Sequence, residues 1–529
     1  MFTVKLTSRK NLLAIIIFCT IGAINVSTGF FDHNQIENII GAREILHGSV
    51  LYSQYFTQHP PFPYFFSAFL LLLSWGNMLV LPLLFNTVLV FWALWAKRQL
   101  SRLFDNKISW IVGGFLLLVL PYVGGQTLLN ETFVAISSCS LIILLITLWL
   151  PENTKIHPKD IWLFSFFLGA CVLSSYAYIP FGLFMFIFGL WSFVKKMEKA
   201  KRIKQIVKFL AICLTPYLLL LIYLFVTGTL EDFVFATYTF NKQYYSPFVN
   251  YPKTIFGWFF VGFKNAGRLL WQLITELSIR TVLAIASISS IFSAVVFGIR
   301  KNQKALAFLL IGAFIFLTTR LFSLEHVISN GYGAHHTSAG VLLLSIICFT
   351  ILADWTFQTK RLINKMQVLE TFLTFGIFIV FFSIFGFYSF ILSMRIGLFD
   401  TTIKPHLACV INQLTDKNDY VWLGPYIHYD ELFIQAKHAT RYSYFFPLHA
   451  ACLECKNEFV NQILTQKPKV IGFNPEYAMF NLKAKDYLPE INTLLNEYYW
   501  KFENPKVNDL YLLKTINKES AIKAVQTCN

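Results

Sequence analysis

Apolar residues run almost unbroken for about twenty positions at a time along most of the chain up to residue 398. A bilayer core needs about 20 such residues per helix, so these runs predict roughly eleven membrane-spanning helices. They fall near 12–31, 78–96, 108–124, 130–150, 161–178, 180–194, 208–228, 281–299, 305–323, 337–356 and 368–393. The last stretch, 399–529, loses this pattern. It alternates strand-like runs (Tyr420–Leu423, Lys469–Phe473, Leu510–Leu513) with helical stretches such as Asn457–Leu464. Such alternation predicts a small α/β unit. The expected fold class is mainly α, polytopic and transmembrane over 1–398, followed by a small α/β domain over 399–529.

Charge orients this arrangement. Basic residues gather in six connections: Lys5, Arg9 and Lys10; Lys97 to Lys107; Lys155 and Lys159; Lys195 to Lys208; Arg300 to Lys304; and Lys360 to Lys365. With the spans above, all six lie on one face, and the other face holds few, such as Arg43, Lys242, Lys253, Lys264 and Arg268. The positive-inside rule then predicts a multi-pass protein of the cell (plasma or inner) membrane, with a cytoplasmic N-terminus and an extracytoplasmic C-terminal domain. The same rule decides the apolar stretch Pro60–Trp75. Counting it as a span would invert every later cluster, so it reads as a short helix in or dipping into the outer leaflet. The run 12–31 is longer than a signal-peptide core and lacks a small-x-small site, which predicts an uncleaved first helix.

Two outer segments are long. One follows the first span, 32–77, and opens with a helical stretch, Asn34–Leu46. The other, Thr227–Arg280, carries Tyr238, Tyr244, Tyr245 and Tyr251 and an interfacial helix near Trp258–Leu277.

Composition agrees with a membrane protein: 56% hydrophobic and only 14% charged residues, where soluble proteins carry about a quarter charged. A net charge of +16 would suggest nucleic acid in a soluble chain. Here it serves as a topology signal, and no nucleic-acid partner is expected. No GxGxxG or P-loop is present. Cys19, Cys139, Cys171, Cys213 and Cys348 fall in apolar spans and read as packing residues. Cys409, Cys452, Cys455 and Cys528 lie in the C-terminal domain, where an oxidising space would allow one or two disulfides of unreadable pairing.

The residues suited to chemistry gather at the outer boundary. Asp32 follows the first span directly; it is either a functional acid or an interface-facing carboxylate that ends a helix. Arg320 precedes Glu325-His326 and Gly331-Tyr332-Gly333-Ala334-His335-His336. Its guanidinium suits a lipid phosphate, or simply snorkels to the interface. His335 and His336 are donors of the same kind; as sequence neighbours they face one metal ion with difficulty.

The first outer loop reads Phe31-Asp32-His33-Asn34-Gln35, Ala42-Arg43-Glu44-Ile45-Leu46-His47-Gly48, Leu51-Tyr52 and His59-Pro60-Pro61-Phe62-Pro63-Tyr64. It resembles that of the GT-C superfamily of polyprenyl-phosphate-sugar-dependent glycosyltransferases, in the branch of protein O-mannosyltransferases and the lipid A aminoarabinose transferase. Members carry an acid after the first helix, then A-R-x-[IL]-[LM]-x-x-G, Y, and [HK]-P-P-[LF]-x-Y. Many have Asp-Glu at the acid, where this chain has Asp32-His33. The resemblance implies an inverting transfer of a sugar from an undecaprenyl or dolichyl phosphate to a hydroxyl acceptor on the outer face, the bacterial style of the C-terminal domain favouring undecaprenyl.

In that reading Asp32 is the base. Leu129-Asn130-Glu131-Thr132-Phe133 matches a second acidic element, which makes Glu131 either an acceptor-orienting residue or, with Asp32, a ligand to Mg²⁺ or Mn²⁺. Glu131 equally fits a helix N-terminal acid complementing the dipole. His59, Tyr64, Lys264, Arg268, Arg320, His335 and His336 are the substrate-binding candidates. The implied partners are the lipid-phosphate sugar, membrane lipid, and a glycan, lipid or protein acceptor. Two other readings stay open. A transporter or flippase of lipid-linked sugars would place broken helices and polar pairs at the midplane. A non-catalytic GT-C scaffold is kept open by His33 in place of the usual second acid.

Overall fold

The computed structural model describes residues 33–78, 80–102, 106–118, 127–149, 156–196, 202–249, 405–426, 428–504 and 507–528. The spans expected at 12–31 and between 281 and 393, and the helix expected near Trp258–Leu277, lie outside these residues. By its contacts the chain forms two compact units. One comprises Met1–Phe30, Leu79–Leu220 and Pro252–Leu398; the other gathers Phe31–Met78, Leu221–Tyr251 and Phe399–Asn529.

The first unit is helical. Val80–Leu100, Asn130–Leu148, Tyr176–Lys195 and Arg202–Thr227 are long and apolar enough to cross a membrane. Asn130–Leu148 is 89% buried and Arg202–Thr227 only 22%, so the former is a central helix and the latter presents Leu214, Leu218 and Leu219 outward. With no water in a hydrocarbon core, small residues let such helices approach closely and backbone polar groups find partners internally.

Pro216 shows both effects. It has no N–H to donate to the carbonyl of Ile212 one turn earlier. Ser165, on Pro158–Val172, donates its hydroxyl to that carbonyl at 2.6 Å. Gly169, one turn further along that helix, leaves room for the proline ring: a Cβ there would sit 2.6 Å from Pro216 Cβ. Trp92 likewise donates its indole N–H to Ser140 Oγ at 2.8 Å between helices Val80–Leu100 and Asn130–Leu144.

The second unit contains a five-stranded sheet in the order β2-β1-β3-β7-β6. Its strands are β1 (Tyr420–Gly424), β2 (Lys437–His438), β3 (Val470–Phe473), β6 (Tyr499–Asn504) and β7 (Val507–Leu513), and a separate hairpin pairs β4 (Ala478–Met479) with β5 (Leu482–Lys483). β1 pairs parallel with β2 and β3, while β7 runs antiparallel to β3 and β6. The two-residue period of β1 feeds two cores. Val421 and Leu423 pack with Val470, Leu510, Leu512 and helices His406–Leu414 and Lys518–Cys528. Trp422 faces the other way, onto Phe459 at 5.1 Å and Phe473 at 6.2 Å. Disulfides join Cys409 to Cys528, between those two helices, and Cys452 to Cys455 at the start of Leu453–Gln466. Cys139, Cys171 and Cys213 are buried free thiols.

Candidate functional site

The motif-bearing loop is built on helix His33–Leu46. Gly48, with φ 95°, ends it in the left-handed conformation that glycine adopts without strain. Tyr52 adopts a positive φ of 77° with no such freedom, at a cost of about 1–2 kcal/mol. The surroundings hold it there: its N–H donates to the Tyr55 carbonyl at 2.8 Å, and its ring meets Phe233 edge-on at 5.1 Å. Its hydroxyl donates to the carbonyl of His59 at 3.1 Å. The motif tyrosine is thus a strut under the His-Pro-Pro turn. That turn leads into the short apolar helix Phe62–Leu73.

Glu37 is the centre of this loop, and it is only 7% exposed. Its Oε1 accepts from Tyr64 Oη at 2.6 Å and Thr57 Oγ1 at 2.9 Å. Tyr64 Oη and Thr57 Oγ1 also lie 2.6 Å apart. Each hydroxyl has one proton, so at any instant two of these three contacts are hydrogen bonds. The other carboxylate oxygen faces His59 Nε2 at 3.6 Å. Tyr444, from the C-terminal segment, adds a further hydroxyl to Glu37, and burial holds the Tyr444 hydroxyl well above the usual tyrosine range. Tyr55 donates to the Glu37 backbone carbonyl at 3.1 Å.

Gly41 makes room for this cluster. A Cβ there would stand 2.5 Å from Tyr64 Cδ1 and 2.7 Å from Tyr55 Cε1. Gly41→Ala is therefore expected to displace both rings and lower stability by about 1–3 kcal/mol, read as a depressed melting temperature of the purified chain. An unchanged melting temperature would mean that the rings have free space to retreat into.

Arg43 and Arg441 tie the loop to the C-terminal segment. Arg43 donates to the carbonyls of Glu431 at 2.5 Å and Ile434 at 3.3 Å, and lies 3.2 Å from His438 Nε2. Glu431 is buried, and its carboxyl oxygens have no hydrogen-bond partner among the described residues. Burial raises its pKa well above the usual range against the opposing pull of Arg43. Burial also lowers His438 to about 4. With its ring held neutral, His438 makes no ion pair with Glu431 across their 3.8 Å approach. Arg441 donates to Glu458 Oε2 at 2.7 Å and to the carbonyls of Tyr52 and Ser53 at 3.3 Å. Its own carbonyl accepts from Phe56 N–H at 2.9 Å.

The third segment of the unit closes against the same place. Beyond Leu230–Val234 the helix widens into π turns, Phe235–Thr239 and Asn241–Tyr245. Asn241 donates to the Thr237 carbonyl at 2.9 Å and the Gln58 carbonyl at 3.1 Å. His449, fully buried, packs its ring on Phe56 at 5.7 Å, Phe240 at 5.1 Å and Tyr444 at 5.3 Å, one ring from each segment. Burial lowers its pKa to about 3, so it stays neutral. Its Nδ1 accepts from the Phe446 N–H at 3.0 Å.

Of the residues singled out from sequence, the structure brings His59 and Tyr64 together around Glu37. Tyr64 is fully buried, with its hydroxyl engaged inside the loop, whereas the His59 side chain is 37% exposed. Glu131 stands in the first turn of Asn130–Leu144, within the first unit. Asp32, Lys264, Arg268, Arg320, His335 and His336 lie outside the described residues. Among the described residues no three His, Cys, Asp or Glu side chains gather to hold a cation.

Glu37, Thr57, Tyr444, Arg441 and Glu431 were not foreseen from sequence. Gly41, one turn from Glu37 in an otherwise well-formed helix, is the local sign that a bulky group packs there.

No family model matches this chain, and no curated protein matches it. Among solved structures it is similar to ArnT from Cupriavidus metallidurans in the apo state, at 10% identity and a TM-score of 0.54 over 96% of this chain and 98% of that one. It is also similar to the archaeal oligosaccharyltransferase AglB from Archaeoglobus fulgidus in complex with an inhibitory peptide and a dolichol-phosphate, at 12% identity and a TM-score of 0.46. A structure of the Archaeoglobus fulgidus oligosaccharyltransferase tethered with an acceptor peptide gives 11% and 0.48. Each of these two is covered over 74% of its length. The ArnT likeness spans both chains nearly end to end and is a likeness of fold.

Proposed function

We infer from the GT-C fold of this chain that it is a membrane glycosyltransferase, and propose that it moves a sugar from a polyprenyl phosphate to a hydroxyl acceptor on the outer face of the membrane. The observation that carries this reading is the folding of the motif loop into one network: Arg43, Gly48, Tyr52, His59 and Tyr64 each have a distinct place in it. A loop of connecting function alone has no need of a buried carboxylate with hydroxyl donors converging on it.

Asp32, one residue before helix His33–Leu46, is the base in this reading. It takes the acceptor's hydroxyl proton as the acceptor oxygen bonds to the anomeric carbon. The bond from that carbon to the phosphate oxygen breaks, and its electron pair leaves with the lipid phosphate. A positioned carboxylate contributes typically 10²–10⁴-fold to such a step. His59 presents its exposed edge to the departing phosphate, with Lys264, Arg268, Arg320, His335 and His336 as further donors. Undecaprenyl phosphate is the carrier proposed. The direct test is release of undecaprenyl phosphate by the purified chain from a labelled undecaprenyl-phosphate sugar. Absence of release across donors and acceptors would favour a transporter or a scaffold.

Topology gives a second test. Single cysteines placed at His59 and Tyr245, on a background without native cysteines, are expected to react with an impermeant reagent from outside sealed cells. One placed at Lys199 is expected to stay unlabelled. Labelling at 199 would invalidate the assignment of sides.

A further inference from the structure

Glu37 belongs to no motif of the loop, yet it stands 3.6 Å from the partly exposed motif histidine His59. One side of the pair is closed: the Glu37 side chain is 10% exposed and anchored by Tyr64, Thr57 and Tyr444. The other side is open, since the His59 side chain keeps 37% of its surface. The backbone of His59 is fixed as well, through its carbonyl to Tyr52 Oη at 3.1 Å and its N–H to Thr57 Oγ1 at 3.1 Å. A ring held at its base and backed by a carboxylate presents its remaining edge outward. This is the arrangement by which an outer carboxylate sets an imidazole's orientation toward an anion or a reacting group.

We propose that Glu37 is a positioning residue that acts through His59, orienting the imidazole so that it binds the phosphate of the lipid carrier. The inference rests on the reading above that the donor is a polyprenyl phosphate. Glu37 does not touch the substrate in this scheme. Its hydroxyl partners fix the carboxylate, the carboxylate fixes the ring, and the ring meets the phosphate. Among the described residues the His59 side chain's only nearby anchor is the Glu37 carboxylate, 3.6 Å from Nε2, so the carboxylate sets which edge of the ring is turned outward.

Binding of undecaprenyl phosphate itself, without sugar, to the purified full chain in lipid nanodiscs tests this independently of the sugar and the acceptor. Glu37→Gln and His59→Gln are each expected to weaken binding by roughly tenfold, as loss of one charged contact does. The double variant is expected to bind within about twofold of either single variant, because non-additivity marks residues that act through one another. His59→Lys is expected to bind as the wild type does. Additive losses in the double variant would overturn the proposal and leave Glu37 a purely structural residue. Should Glu37→Gln fail to fold, equal binding by wild type, His59→Gln and His59→Lys would overturn it by itself. If the wild type does not bind undecaprenyl phosphate at all, the donor reading fails first.

Discussion

Asp32→Asn is expected to lower sugar transfer by roughly 10²–10⁴-fold, about 3–5 kcal/mol of barrier, with the melting temperature unchanged. Asparagine keeps the shape of the side chain and removes the group proposed to accept the acceptor's proton. An acid directly after a membrane span is costly without water or a partner, so one retained there serves chemistry or an interface. Rates from single-turnover assays with saturating donor separate the two. Glu131→Gln is the companion measurement: a smaller loss is expected if Glu131 orients the acceptor. A larger loss, partly restored by Mg²⁺ or Mn²⁺, is expected if it holds a cation. Near-normal turnover in a well-folded Asp32→Asn would overturn the assignment of Asp32 as the base and reduce the loop motif to architecture.

Arg43→Ala is expected to destabilise the second unit by about 2–4 kcal/mol. Its guanidinium donates to two carbonyls of the C-terminal segment; bonds to charged groups contribute about 1.5–3 kcal/mol net, the longer one at 3.3 Å contributing less. Alanine leaves the Glu431 and Ile434 carbonyls without that donor. Arg43→Lys is expected to recover only part of the loss, since one ammonium cannot reproduce a planar fork that spans both carbonyls and lies against His438. Thermal unfolding of the full chain, with proteolytic nicking between residues 47 and 60 as the local readout, measures both. Equal melting of wild type and Arg43→Ala would show that the contact adds nothing to stability.

Local pattern was legible from sequence; long-range pairing was not. The helix expected at Asn34–Leu46 forms as His33–Leu46, and the apolar stretch Pro60–Trp75 yields a helix of only twelve residues, too short for a span. The strands expected at 420–423, 469–473 and 510–513 appear as β1, β3 and β7. These elements follow from periodicity within ten or so residues. Glu37 escaped notice because a glutamate among isoleucines in an amphipathic stretch reads as a solvated face. Its partners come from residues 57, 59, 64 and 444, and no local rule brings them together. The π turns at 235–245 escaped for a related reason: their widening accompanies side chains such as Asn241 that bond across to the loop at Gln58. Cys409–Cys528 and Cys452–Cys455 were one of several pairings the four cysteines allow.

The second unit is assembled from three stretches of chain set far apart, and this sets a timetable for its biogenesis. Arg43 and the Glu431 carbonyl it binds are separated by 388 positions. At a synthesis rate of 5–20 residues per second, the arginine waits roughly 20–80 s for its acceptor to be made. The inner cluster of Glu37, Thr57 and Tyr64 needs no such delay, since all three emerge together. The loop is therefore complete in its hydroxyl network, but without its arginine anchor, until the C-terminal segment is made. Nascent chains stalled before residue 431 should carry this loop open to proteases and chaperones, and release past that point should close it.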